Sequence, residues 1–187
     1  MLCDFHIHAR PSSIYLIKES WIKKILDTAI KKKLDLIVIV DHNYLKAPLL
    51  AKELQEKLNL PIKVIPGVEI SSIWKGKIHH IIALNVKKNI LPYRNIKKII
   101  KSIKKQDGSI ILPHPSLDLL YEIHEAIDGV EVYNARHPVA YKELIENEKK
   151  FAHLMKTFGS DSHTLAEIGA VTRDIDPEYL KQKRILI

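Results

Sequence analysis

Seven apolar runs of strand length alternate along this chain with stretches of helical period, and no other feature restricts its fold as much. The runs cover residues 2–8, 36–41, 63–70, 78–86, 109–114, 130–134 and 157–161. Between the first two, residues 21–34 place Ile22, Ile25, Leu26, Ala29 and Ile30 on one face of a helix. Residues 47–58, 96–105, 117–126 and 139–156 behave similarly. Strands that alternate with helices predict right-handed βαβ units and a mainly parallel sheet. Seven such units in 187 residues suit a compact, irregular α/β barrel better than a wide open sheet. Pro66-Gly67, Asp107-Gly108 and Asp128-Gly129 read as turns. With no long linker, low-complexity tract or internal repeat, residues 1–187 are expected to form a single domain.

Composition narrows the setting. No apolar run approaches the roughly 18 residues that a membrane span requires. The start, Met1-Leu2-Cys3-Asp4, shows no basic flank or cleavage site, and the lone Cys3 excludes an internal disulfide. A cytoplasmic, reducing location is therefore expected. The net charge of +8 favours anionic partners such as phosphate esters or nucleic acid. Much of that charge, including Lys31-Lys32-Lys33 and Lys97-Lys98, falls on helical segments whose solvated faces explain it equally well.

The polar residues at the strand ends carry the chemistry. Six of the ten histidines (His6, His8, His42, His80, His114 and His163) lie in the expected strands or just past them. Asp4, His6 and His8 alternate, so a regular strand would point all three to one face. His6 and His8 could then grip an ion while Asp4 orients an imidazole from behind. The second run ends in Asp41-His42, with Asp41 a further supporting carboxylate, and the third delivers Glu69 after Pro66-Gly67-Val68. The fourth carries His80, the fifth ends in His114-Pro115, and the seventh ends in Ser160-Asp161-Ser162-His163.

In a parallel α/β barrel those ends converge on one rim. Imidazoles and carboxylates suit zinc, manganese or iron, and so many donors on one rim would lack partners without a cation. A lone strand histidine is more often a hydrogen-bonded core residue, but a set drawn from six strands favours a metal cluster. His79 is out of phase with His80 and is expected to face away. His124 and His153 fall in helical segments and carry no such expectation, while His137 is a minor candidate for substrate contact.

The ordered set Asp4-Phe5-His6-Ile7-His8, Asp41-His42, Gly67-Val68-Glu69, His80, His114-Pro115 and Ser160-Asp161-Ser162-His163 closely resembles the PHP (polymerase and histidinol phosphatase) family. Gly129-Val130-Glu131-Val132-Tyr133-Asn134 also looks like that family's sixth strand. The resemblance implies a distorted seven-stranded (βα)7 TIM-like barrel holding two or three divalent ions. His6, His8, Glu69 and Asp161 would bind the first, with Glu69 bridging to a second completed by His80 and His114. A third would use His42 and His163. The chain departs from the pattern at Arg10-Pro11-Ser12-Ser13, where family members supply one more His or Asp.

The implied activity is hydrolysis of a phosphate ester of a small metabolite or nucleotide. Asp161 or His163 would handle the proton of the leaving oxygen, and Arg10 and Arg136 would clamp the phosphate. A nuclease acting on RNA or DNA is the alternative. Weak nucleic-acid binding is compatible with both, although only 6% of the residues are aromatic and no stacking platform is evident. A non-catalytic RNA-binding subunit with the same barrel would be expected to have lost ligands that this chain keeps.

Overall fold

The computed structural model describes residues 1–9 and 18–185. In chain order the elements are β1 (Leu2–His8), α1 (Glu19–Lys31), β2 (Leu36–Val40), α2 (Lys46–Lys57), β3 (Lys63–Trp74), β4 (Lys77–Leu84) and β5 (Arg94–Asn95). There follow α3 (Ile96–Lys104), β6 (Ser109–Leu112), α4 (Leu117–Ile123), β7 (Gly129–Asn134), α5 (Lys142–Asn147), β8 (Met155–Gly159), β9 (Arg173–Asp174) and α6 (Pro177–Gln182). Among the described residues the strands form a nine-stranded sheet in the order β8-β7-β6-β4-β3-β2-β1-β9, with β5 flanking β3. The sheet curls until its ends almost meet. Ile7 of β1 bridges Ser162, just past β8, and the His8 N–H donates to the Ser162 carbonyl at 2.9 Å. The architecture is thus a mixed α/β, nearly closed barrel.

Packing follows the apolar periodicity. The buried stripe of α1 (Ile22, Ile25, Leu26, Ala29) lies with Ile37 and Ile39 of β2 in one outer cluster. The stripe of α3 (Ile96, Ile99, Ile100, Ile103) lies with Ile81 and Ala83 of β4 in another. Asn95 starts α3 by accepting the Lys97 N–H, which satisfies one of the open donors of its first turn. A third cluster, with Phe5, Leu36, Val38, Ile65, Ile82 and Ile111, fills the barrel interior and includes Leu180 of α6. Each fully buried aliphatic side chain contributes about 1.5–3 kcal/mol. That interior is the apolar floor beneath the polar layer.

The expectation of seven consecutive βα units fails at the third. β3 continues past residue 70 to Trp74, turns at Lys75-Gly76 and returns as β4 in an antiparallel hairpin with no helix between them. Both turn residues are left-handed (φ 47° and 73°), the conformation that a tight hairpin turn needs. β4 is also antiparallel to β6, so the sheet is mixed, although among the described residues β1–β2, β2–β3, β3–β5, β6–β7 and β7–β8 pair parallel and the sheet is mainly parallel as expected. Pro66-Gly67 is not a turn but lies inside β3. Gly67 is small because a Cβ there would come within 2.7 Å of the Leu84 side chain. The single helix expected over 139–156 divides into α5, a short 3-10 turn at 149–151 and the start of β8. Among the described residues no helix is long and apolar enough to cross a membrane.

Candidate metal centre

The eight residues expected to bind metal lie together at one rim. Glu69 is central. Its Oε1 is 3.3 Å from His80 Nδ1 and 3.2 Å from His114 Nε2. Its Oε2 faces a different set: His42 Nδ1 at 3.1 Å, His8 Nε2 at 3.3 Å and His6 Nε2 at 3.8 Å. Asp161 Oδ1 lies 3.2 Å from His8 Nε2, and 3.7 Å from both His6 Nε2 and His163 Nδ1. Among the described residues, three donor groups have the spacing to hold a cation: His6–His8–Asp161, Glu69–His80–His114 and His8–His42–His163.

Local structure explains each placement. Past β2 the chain stays alongside β3 through a His42–Glu69 bridge. Asn43 fastens it there, accepting the Ser71 N–H at 2.7 Å and donating to Ser71 Oγ. In the hairpin His80 pairs with Ser71, two residues beyond Glu69, so its ring shares the face of that carboxylate. His114 and Asp161 occupy positive φ, 28° and 52°. Non-glycine residues are uncommon there, and the strain of about 1–3 kcal/mol persists only where surrounding contacts hold it. Here Glu131 Oε2 accepts the His114 N–H at 2.9 Å, and Asn134 Nδ2 donates to Asp161 Oδ2 at 3.3 Å.

The electrostatics of this layer are compatible with a bound cation. Glu69 Oε2 and His8 Nδ1 are buried without a hydrogen-bond partner. The Nε2 atoms of His6 and His8 are 3.2 Å apart. Burial works against the Glu69 charge, but the His114, His6, His8 and His80 rings outweigh it and hold the carboxyl well below its usual range. Burial likewise opposes charge on His6, and Glu131 and Glu69 override it to push that imidazole up. His42 is pushed down to about 4 by burial, against the pull of Glu69, with the His8, His80 and His163 rings adding to the shift. Two buried carboxylates thus demand positive charge while His42 keeps a free lone pair near neutral pH. A divalent cation suits that combination.

Other expectations fare differently. Asp4 does not share a face with His6 and His8, because the register of β1 shifts between Asp4 and Ile7. The shift breaks strict alternation, leaving Phe5 in the interior cluster and Ile7 in an outer one. Asp4 instead accepts backbone N–H groups from His6 (3.2 Å), Ser160 (3.0 Å) and Gly169 (2.9 Å) at the seam of β1 and β8. Asp41 is buried, and its carbonyl accepts the Glu69 N–H. Arg136 reaches the Asp161 carbonyl through Nε at 3.2 Å and pairs with Glu167 at 2.9 Å. Arg10 and its loop lie outside the described residues.

His79 turns to Trp74, edge to face at 5.6 Å, and His124 and His153 keep to each other beside Phe151. His137 comes within 3.7 Å of Asp161 Oδ2. Sequence reasoning gave Glu131 and Asn134 no role. The available signal was a lone acid within the apolar run Val130-Glu131-Val132, since a buried charge needs a partner.

No family model matches the sequence. The 5'-3' exoribonuclease Rnm of Salmonella typhimurium is 30% identical over 86 residues, covering 46% of this chain and 28% of Rnm. In fold, a Bifidobacterium adolescentis protein provisionally assigned as a metal-dependent phosphoesterase superposes with a TM-score of 0.75 at 14% identity, covering 96% of this chain and 94% of that one. An amidohydrolase from Chromobacterium violaceum, solved with sulfate and no metal, gives 0.74 at 14% identity, covering 97% and 96%. The uncharacterised protein MJ1587 of Methanocaldococcus jannaschii is 30% identical over 152 residues, covering 73% of this chain and 84% of MJ1587. With that identity across most of both proteins, the chain belongs to the family of MJ1587.

Proposed function

We propose that this protein is a metal-dependent phosphoesterase of the PHP type. The observation that carries this reading is the division of Glu69: one oxygen faces His80 and His114, the other faces His6, His8 and His42. A carboxylate so divided is suited to bridge two cations, zinc, manganese or iron. His6, His8, Glu69 and Asp161 would hold the first, and Glu69, His80 and His114 the second. His42 and His163, with His8 nearby, offer a third, weaker position. Divalent ions held by these residues would supply an acidified water near neutral pH and positive charge for the phosphoryl oxygens.

The chain's own residues supply the rest. The Asp161 carbonyl, 2.9 Å from His163 Nδ1, fixes the proton on that nitrogen and leaves Nε2 with a lone pair. Burial and the His8 ring push the His163 imidazole down, which suits a ligand or a proton acceptor better than an acid. Burial raises the Asp161 carboxyl, but the His8 and His6 rings outweigh it and hold the group below its usual range, which suits a ligand better than an acid. Arg136, half-exposed and paired with Glu167 at the edge of the cluster, would leave that carboxylate to clamp a substrate phosphate.

The preferred substrate is a phosphate ester of a small metabolite or nucleotide. The stretch shared with Rnm favours a second reading, a nuclease. The test combines elemental analysis of purified protein with a screen of phosphomonoesters, phosphodiesters and short oligonucleotides under zinc, manganese and iron. At least two ions per chain and turnover of a small ester are expected. Failure to take up any of these metals would refute the proposal, and efficient cleavage of oligonucleotides alone would make nuclease the leading reading.

A further inference from the structure

We infer that Glu131 is a positioning residue: it fixes the His6 ring with its proton on Nδ1 and holds His114 in its left-handed backbone, joining the two proposed cation groups into one preorganised unit. The inference rests on the metal reading above and extends it to a residue outside the ligand set.

Glu131 sits in the middle of β7, almost fully buried. Its Oε1 is 3.2 Å from His6 Nδ1. Its Oε2 accepts the His114 N–H and one Asn134 Nδ2 hydrogen, both at 2.9 Å. An ionised carboxylate can only accept, so the His6 Nδ1 must carry the proton. The lone pair is then left on Nε2, which points among His8 Nε2, Glu69 Oε2 and Asp161 Oδ1. A carboxylate behind a ligating imidazole fixes its orientation and strengthens it as a donor.

The fold makes room for this contact. A Cβ on Gly159 would come within 2.4 Å of His6 Cβ and 2.6 Å of Glu131 Oε1, so any larger residue on β8 would force the pair apart. On the other side, the φ of 28° at His114 is far from the regions that non-glycine residues prefer. A charge-assisted bond to its N–H helps to hold that conformation.

Glu131→Gln keeps the shape and changes the hydrogen-bond logic. If the new NH2 faced His114 and Asn134, it would oppose two donors that cannot change. It should therefore turn to His6, which can respond by moving its proton to Nε2. Nitrogen NMR of the metal-free protein, in alkaline solution where the ring is neutral, should show His6 protonated on Nδ1 in the wild type and on Nε2 in the variant. Titration with zinc or manganese should show the His6–His8–Asp161 group weakened about 10–100-fold. The Glu69–His80–His114 group should stay within a few-fold of wild type. Gly159→Ala should weaken the same group with no change of charge.

If the wild type binds no cation, the metal reading fails, and the His6 proton position still decides the role of Glu131. If the wild type binds two cations and the Gln variant binds both with wild-type affinity, the inference is overturned. Should the variant not fold, a wild-type His6 protonated on Nε2 overturns it, and one protonated on Nδ1 supports it.

Discussion

Replacing Glu69 by Gln tests the centre most directly, because it removes a charge while hardly changing side-chain volume. The carboxylate oxygens lie 3.1–3.8 Å from five imidazole nitrogens, among them His6 and His8 of one donor group and His80 and His114 of another. A cation in either group would sit within about 4 Å of the Glu69 charge. At that separation, and an effective dielectric constant of about 20, one pair of unit charges is worth about 4 kcal/mol. Since 1.36 kcal/mol corresponds to a factor of ten, loss of the charge should weaken each of two cations by about three orders of magnitude. Elemental analysis after dialysis should find both ions lost, and ester hydrolysis should fall by at least about 10³-fold. His79→Gln is the matched control, because that ring packs on Trp74 outside the donor groups. If Glu69→Gln kept two ions and activity within a few-fold of the control, the bridging role would be wrong, and with it the whole electrostatic argument.

Asp4→Asn should destabilise the fold by about 1–3 kcal/mol, because either amide orientation sets an N–H against a buried backbone donor. Urea unfolding would show this with metal content unchanged; loss of metal without loss of stability would instead favour Asp4 as a support for an imidazole. A third expectation concerns acid. His42 stays neutral in the folded chain down to about pH 4, whereas an ordinary imidazole takes its proton near 6.5. The unfolded chain therefore binds more protons between those values, and stability falls as pH drops through that window. Metal-free wild type should lose more stability across it than His42→Gln, and equal losses would refute the assignment. Lastly, turnover of a small phosphoester should depend weakly on salt, while any RNA or DNA binding through the surface lysines should fall steeply as counterion release is suppressed. A shallow salt dependence of oligonucleotide cleavage would contradict this.

Much of the strand layout and the cluster were readable in the sequence. Residues 2–8 form β1 with the expected bounds, and the other six expected strands overlap strands of the sheet. These are local matters: apolar periodicity fixes which segments must be covered, and side-chain chemistry marks candidate donors for a cation. The hairpin of β3 and β4 was missed because a long apolar strand pair reads much like two separate strands unless the single Gly76 is weighed as a turn. The position of Asp4 was missed because regular alternation assumes regular pairing. The bulge in β1 lies between Asp4 and Ile7, before the residue that bridges the segment past β8.

The sequence by itself determined which histidines and carboxylates stand at the strand ends and which segments form those strands. Only the tertiary structure decided how Glu69 divides its two oxygens, and that Glu131 meets a histidine 125 positions away. Those contacts depend on how the sheet closes. Closure is set by the summed packing of residues far apart in the chain, whereas the sequence expresses the preferences of each segment alone.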